Sequence, residues 1–155
     1  MLALPPLKMR DRPVTASPPK DLPLDLFQAA LAARQRAHVP YSRFPVGAAI
    51  RTESGTIQPG CNVENAAYPQ GQCAEATAIG AMIVGGNRRI TEIAVVGGEA
   101  GAPELCTPCG GCRQRIREFA ALDTKVHVFD AGGWRKTYTV AELLPDSFGP
   151  DNLSF

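Results

Sequence analysis

The chain has 155 residues, about one domain's worth, and 45% of them are hydrophobic, enough to build one core. With 16 Lys plus Arg against 15 Asp plus Glu, the net charge is only +1, which argues against the electrostatic footprint of a nucleic-acid binder and favours a small-molecule partner. No apolar run near the N-terminus is long enough for a signal peptide or a membrane span, and five cysteines cannot all pair internally. The chain therefore reads as soluble and cytoplasmic, in a reducing compartment where cysteines bind metals or do chemistry.

Residues 1 to 23 hold Pro5, Pro6, Pro13, Pro18, Pro19 and Pro23 among basic side chains, and are expected to be a disordered or extended tail before a single domain over 24–155. Leu24, Phe27 and Leu31 recur at helical spacing, predicting a first helix that runs to about Ala37 and is stopped by Pro40. Val46 to Arg51 and Thr56 to Cys61 flank Glu53, Ser54 and Gly55, a hairpin signal. A loop rich in Asn, Pro and Gly follows over 62–71. An apolar helix over Cys73 to Val84 then ends at Gly85 and Gly86.

Ile90 to Val96 reads as a buried strand, 97–108 as a loop and Cys109 to Phe119 as a further helix. Lys125 to Asp130 and Trp134 to Thr139 add two strands before a short helix from Val140 to Leu144. Five strands alternating with helices predict an α/β layered domain around a mixed sheet.

Two strings carry chemistry: Cys73-Ala74-Glu75, and Pro108-Cys109-Gly110-Gly111-Cys112. Together they supply three thiolates and a carboxylate. A catalytic zinc takes three protein ligands and leaves a fourth position for water, whereas a closed structural site wants a fourth protein ligand. Cys109 and Cys112, three apart on a helix, can meet one ion. Cys73 and Glu75, two apart, would diverge on a regular helix, so Cys73 is expected at the helix entrance. Both helices would then begin at the metal, with their dipoles lowering the thiolate pKa values.

The same residues admit rival readings. Cys61 and Cys106 read as small buried hydrophobes, although either is an alternative fourth ligand for a structural zinc. Cys106, Cys109 and Cys112 have the spacing of an iron–sulfur half-site, but no cysteine follows Cys112 to complete it.

From about Tyr41 onward the chain resembles the small, homotetrameric, zinc-dependent cytidine deaminases. The resemblance is carried by Tyr41-Ser42-Arg43-Phe44 with Val46-Gly47-Ala48, by Gly60 to Tyr68, by the two cysteine strings and by Glu142 to Phe148. It implies a three-layer α/β/α fold around a five-stranded mixed sheet, one zinc ion per subunit on Cys73, Cys109 and Cys112, and hydrolytic deamination of cytidine and 2′-deoxycytidine in pyrimidine salvage. In the implied mechanism, zinc-activated hydroxide attacks C4 while Glu75 shuttles protons. It also implies that Asn62 and Glu64 hold the ribose hydroxyls, that Phe44 packs on the pyrimidine face, and that the Ala74 backbone bonds the base edge. Phe148 would enter a neighbouring subunit's site, making a homotetramer the active unit.

The rival functions are deamination of another cytosine nucleoside such as blasticidin S, and an inactive zinc-stabilised binding module. Many relatives carry an arginine directly after the catalytic glutamate, where this chain has Ala76. Three thiolates on a dication leave one net negative charge, so Arg113 or the helix N-termini are expected to supply the neutralisation.

Overall fold

Side-chain alternation along β1 (Val46–Thr52) sets the layering: Ala48 and Ile50 point into one apolar cluster and Ala49 into another, so both faces of the strand are covered. The computed structural model describes residues 17–153. The proline-rich tail expected over 1–23 lies outside these residues as far as position 16, and its remainder runs as coil and turn into α1 (Leu24–Arg34). Beyond Arg34 the backbone tightens into turns, Arg36 and Ala37 donating to Ala33 and Arg34, so the helix ends earlier than Pro40 alone predicts.

β1 turns at the left-handed Gly55 into β2 (Ile57–Cys61), the expected hairpin. The remaining strands are β3 (Ile90–Gly97), β4 (Ala120–Asp130) and β5 (Gly133–Thr139), in the sheet order β2-β1-β3-β4-β5. β3 and β4 pair in parallel and every other pair is antiparallel, giving a mixed five-stranded sheet. The start of β4 corrects the predicted boundary at Lys125. Residues 121–123 are exposed and show no strand alternation, yet Ala120 pairs with Ile90 before the register shifts and resumes at Lys125.

α1 covers one face of the sheet, where Leu26 and Ala30 meet Ala94, Val96 and Phe129. On the other face lie α2 (Ala74–Val84), α3 (Gly110–Phe119) and α4 (Val140–Leu143), which bury Ala78, Met82, Ile116 and Val140 against Ile50, Ile93, Val95 and Val126. The result is the three-layer α/β/α arrangement. Thr139 and Glu142 form a capping box at the start of α4. Among the described residues no helix is long and apolar enough to cross a membrane.

The layers touch closely at Gly60. A Cβ there would lie 2.4 Å from the Ala78 nitrogen and 2.5 Å from the Ala74 oxygen, so the absence of a side chain lets the first turns of α2 rest on β2. Gly80, in the same helix, faces open space. Gly60→Ala is therefore expected to lose about 1–3 kcal/mol of stability by overpacking. Gly80→Ala is expected to gain about 0.5–1 kcal/mol from reduced backbone freedom in the unfolded chain. Denaturant unfolding of the two variants checks the pair, and equal effects would contradict the close approach.

Candidate active site and metal centre

Cys73 and Cys109 occupy equivalent places in the fold. Each is the N-cap of a helix, with extended backbone (ψ 155° and 166°), and each helix starts at the next residue. This is how Cys73 and Glu75 converge despite their spacing: Cys73 precedes the helix, and Glu75 lies on its first turn. Cys112 lies on the first turn of α3. The Cys73 and Cys109 sulfurs are 3.8 Å apart, and all three Sγ atoms lie within 4.8 Å of one another.

Zinc–sulfur bonds of about 2.3 Å in a tetrahedron place sulfurs about 3.8 Å apart, so the three thiols fit this ion and leave one vertex open. Cys61 and Cys106 stand outside the cluster, which removes the fourth-ligand and iron–sulfur alternatives among the described residues. Cys106 instead packs its sulfur over Gly97 at the end of β3, and burial pushes its thiol up to about 11.

Glu75 is the buried acid of the site, 4% exposed, and accepts a hydrogen bond from the Cys112 thiol at 3.3 Å. Burial raises its carboxyl above the ordinary range; the thiol contact and the charge of Arg115 oppose this without reversing it. Burial and the neighbouring acidic groups also push the Cys112 and Cys73 thiols up. Burial would raise Cys109 too, but hydrogen bonds from the Cys112 amide and thiol and the Cys73 thiol leave it below its usual value.

A short backbone ladder joins this centre to the other candidate residues. Val63 exchanges bonds with Gln72, the residue before Cys73, at 2.9 and 2.8 Å. On its other side it bridges to His38, with His38 N–H donating to the Asn62 carbonyl and Glu64 N–H to the His38 carbonyl. Asn62 and Glu64 therefore flank an extended residue. Asn62 Oδ1 accepts from Val46 N–H at 2.8 Å and its Nδ2 donates to the Phe44 carbonyl at 3.0 Å. Glu64 Oε2 accepts from the Tyr41 and Ser42 amides at 2.9 and 3.2 Å.

Phe44 is 47% exposed, free to present a ring face. A cavity of about 420 Å³ opens between Tyr41, Ser42, Glu64, Asn65 and Tyr68 and reaches Gly71. A second, of about 610 Å³, runs from Gly71 past Cys73 and Ala76 to Gln114 and Arg115. Ala74 is fully buried at the start of α2, and Phe148, 59% exposed, is tethered through its carbonyl to Gln114 of α3.

Arg113 does not meet the expectation of a charge partner for the thiolates. Its guanidinium donates to the carbonyls of Pro108 (2.8 Å) and Leu143 (2.9 Å) and to Thr107 Oγ1 (3.1 Å), so it braces the loop entering α3 instead. Carbonyls beside the helix capture it before it can turn toward sulfur. The helix N-termini, which begin at Cys73 and Cys109, and the charge of Arg115 on Glu75 are what the site offers in its place.

Sequence reasoning also missed Arg34, which is 9% exposed, donates to the Pro45 carbonyl and pairs with Glu99, clamping the loop after β3 onto the start of β1. A lone cation on a helix carries no pattern that separates a clamp from a solvated side chain. Thr77 was missed as well: it donates to the Cys61 and Cys73 carbonyls at 2.9 and 3.3 Å, tying α2 to the end of β2.

Three thiols with one open vertex, a buried carboxylate and two helix N-termini on an α/β/α sandwich define a zinc-dependent hydrolytic site. Comparison with known proteins narrows that class. Residues 22–128 match the family model described as the cytidine and deoxycytidylate deaminase zinc-binding region. The chain is 45% identical over 130 residues to a cytidine deaminase of Sporosarcina psychrophila, covering 84% of this chain and 93% of the relative. It is 41% identical to one of Halalkalibacterium halodurans, covering 83% and 96%. Its fold matches the crystal structure of cytidine deaminase from Burkholderia pseudomallei with a TM-score of 0.76 at 40% identity, over 83% of this chain and all of that one. The Mycobacterium tuberculosis cytidine deaminase structure gives 0.69 at 35%, over 83% and 99%. The chain belongs to the zinc-binding cytidine and deoxycytidylate deaminase family.

With the Cys73 and Cys112 thiols raised, the metal-free site holds protons at neutral pH that zinc must displace. Zinc affinity is accordingly expected to rise with pH, by about tenfold per pH unit for each displaced proton. Chelator competition between pH 6 and 8 measures this slope, and a flat profile would contradict protonated thiols.

Proposed function

We propose that this chain catalyses the hydrolytic deamination of cytidine and 2′-deoxycytidine to uridine and 2′-deoxyuridine, releasing ammonia, in pyrimidine salvage. The observation that carries this reading is Glu75, buried and protonation-prone, in hydrogen-bond contact with one of three clustered thiols. Zinc held by Cys73, Cys109 and Cys112 would supply a Lewis acid that makes a coordinated water acidic near neutral pH.

Glu75 would take one proton from the attacking water and pass it to ring N3, then take the second from the new C4 hydroxyl and deliver it to the departing amine as the C4–N bond breaks. C4 gains the oxygen and loses the nitrogen, so atoms and protons balance. A raised carboxyl suits this work, because a group that both takes and gives protons acts best with a pKa near the working pH. Phe44 would cover the pyrimidine face, the Ala74 backbone at the start of α2 would bond the base edge, and Asn62 and Glu64 would offer the donor and acceptor that sugar hydroxyls need.

The same reading takes residues 24–155 as one domain working in the cytoplasm as a homotetramer, with exposed Phe148 reaching toward a neighbour's site.

Glu75→Gln is expected to keep zinc and lose about 10²–10⁴-fold in kcat, the usual contribution of acid–base catalysis. Cys112→Ala is expected to lose the zinc. Ultraviolet assays with cytidine, deoxycytidine and blasticidin S, run beside zinc analysis, check both variants and the substrate. Full activity in Glu75→Gln would overturn the proton assignment, and turnover of blasticidin S alone would overturn the substrate.

A further inference from the structure

Arg43 is a non-glycine residue in the left-handed region, at φ +57°, within the segment that carries Phe44. Such backbone persists only where surrounding contacts over-determine it, and here they do. Arg43 N–H donates to the Val39 carbonyl at 3.1 Å. Glu64 Oε2 takes the Tyr41 and Ser42 amides, and Ser42 Oγ takes the Phe44 N–H at 3.0 Å. Asn62 Nδ2 then fixes the Phe44 carbonyl and Asn62 Oδ1 the next strand's first amide, Val46. Both polar groups of the Phe44 backbone are thereby held by side chains that trace back to Asn62 and Glu64.

From this arrangement we infer that Glu64 is a positioning residue for Phe44: it latches the strained Tyr41–Phe44 segment through Oε2 and thereby couples the sugar subsite to the placement of the ring on the base. The sugar part of this inference rests on the reading of the preceding subsection. Both amides bond to Oε2 of Glu64, so Oε1 takes neither of them and can meet a ligand hydroxyl. The Ser42 hydroxyl and then the Tyr41 and Ser42 amides hold the carboxyl below its usual range, so it is an anion at neutral pH and a strong acceptor for both tasks. A hydroxyl bound at Oε1 orders the carboxylate that orders the loop. A nucleoside lacking that hydroxyl loses part of its base stacking together with its sugar contact. Gln at position 64 keeps an acceptor oxygen for the two amides, whereas Ala removes the latch.

The test compares the zinc-loaded wild type with Glu64→Ala, Glu64→Gln, Phe44→Ala and the Glu64→Ala/Phe44→Ala double variant. Amide hydrogen exchange of Tyr41, Ser42 and Phe44 is read first, without substrate. At least tenfold faster exchange in Glu64→Ala, largely restored in Glu64→Gln while Ala49 and Val95 stay protected, supports the latch; unchanged exchange in Glu64→Ala overturns it whether or not the protein is active. The kinetic arm reads kcat and KM for cytidine. Phe44→Ala is expected to raise KM by about tenfold in the wild type and by less than threefold in Glu64→Ala, since the ring is already misplaced there. Effects of the two substitutions that multiply independently overturn the coupling. A wild type that binds zinc yet does not turn over cytidine overturns the deaminase reading and the sugar coupling with it, and the exchange data then judge the latch alone.

Discussion

Everything at this site depends on holding three thiolates and a carboxylate, groups of like charge, in one partly buried place. Left alone these groups repel, and burial pushes Cys73, Cys112 and Glu75 toward their neutral forms. The fold answers with helix geometry, with Arg115 as the cation whose charge reaches Glu75. Two helices begin at the cluster, so the partial positive charge of their unsatisfied N–H groups falls on Cys73 and Cys109. Arg113, the basic side chain adjacent in sequence to Cys112, gives its donors to the Pro108 and Leu143 carbonyls and the Thr107 hydroxyl. Ala76 leaves open space beside Cys73 where a longer side chain would stand.

Two helix ends can meet only if the chain brings them there and keeps them. α2 is seated by the bare backbone of Gly60 and by Thr77 bonding back to Cys61. α3 is reached through a loop pinned at several points. Arg34 holds Glu99, Asp130 accepts the Gly101 amide and pairs with Arg135, Arg135 also reaches the Ala102 carbonyl, Cys106 packs on Gly97, and Arg113 holds Thr107 and Pro108. The Val63 ladder extends this rigidity toward Phe44. The three cysteines, Glu75 and the aromatic segment thus share one hydrogen-bonded frame, and a frame of this kind can hold groups to the tolerance that catalysis needs.

Much of this was legible in the sequence because it is local. The hairpin around Gly55, the helix after Cys73 and the need for Cys73 to stand outside that helix all follow from spacing and backbone preference. The metal ligands were legible because few chemistries want three cysteines and a carboxylate so arranged. What stayed hidden is long-range. The order β2-β1-β3-β4-β5 and the early pairing of Ala120 with Ile90 depend on partners far away in the chain. Arg113 and Arg34 were misread or missed because a guanidinium chooses among carbonyl and carboxylate acceptors that only the folded chain assembles. The left-handed Arg43 has no sequence signature, since glycine or asparagine is the usual mark of such a turn.

The central claim is an open centre of three thiolates, and X-ray absorption at the zinc edge of the loaded protein tests it most directly. The account requires three sulfur scatterers at about 2.3 Å and one lighter oxygen or nitrogen neighbour at about 2.0 Å. Four sulfurs, with Cys61 or Cys106 drawn into the shell, would make the centre a closed structural one and contradict it.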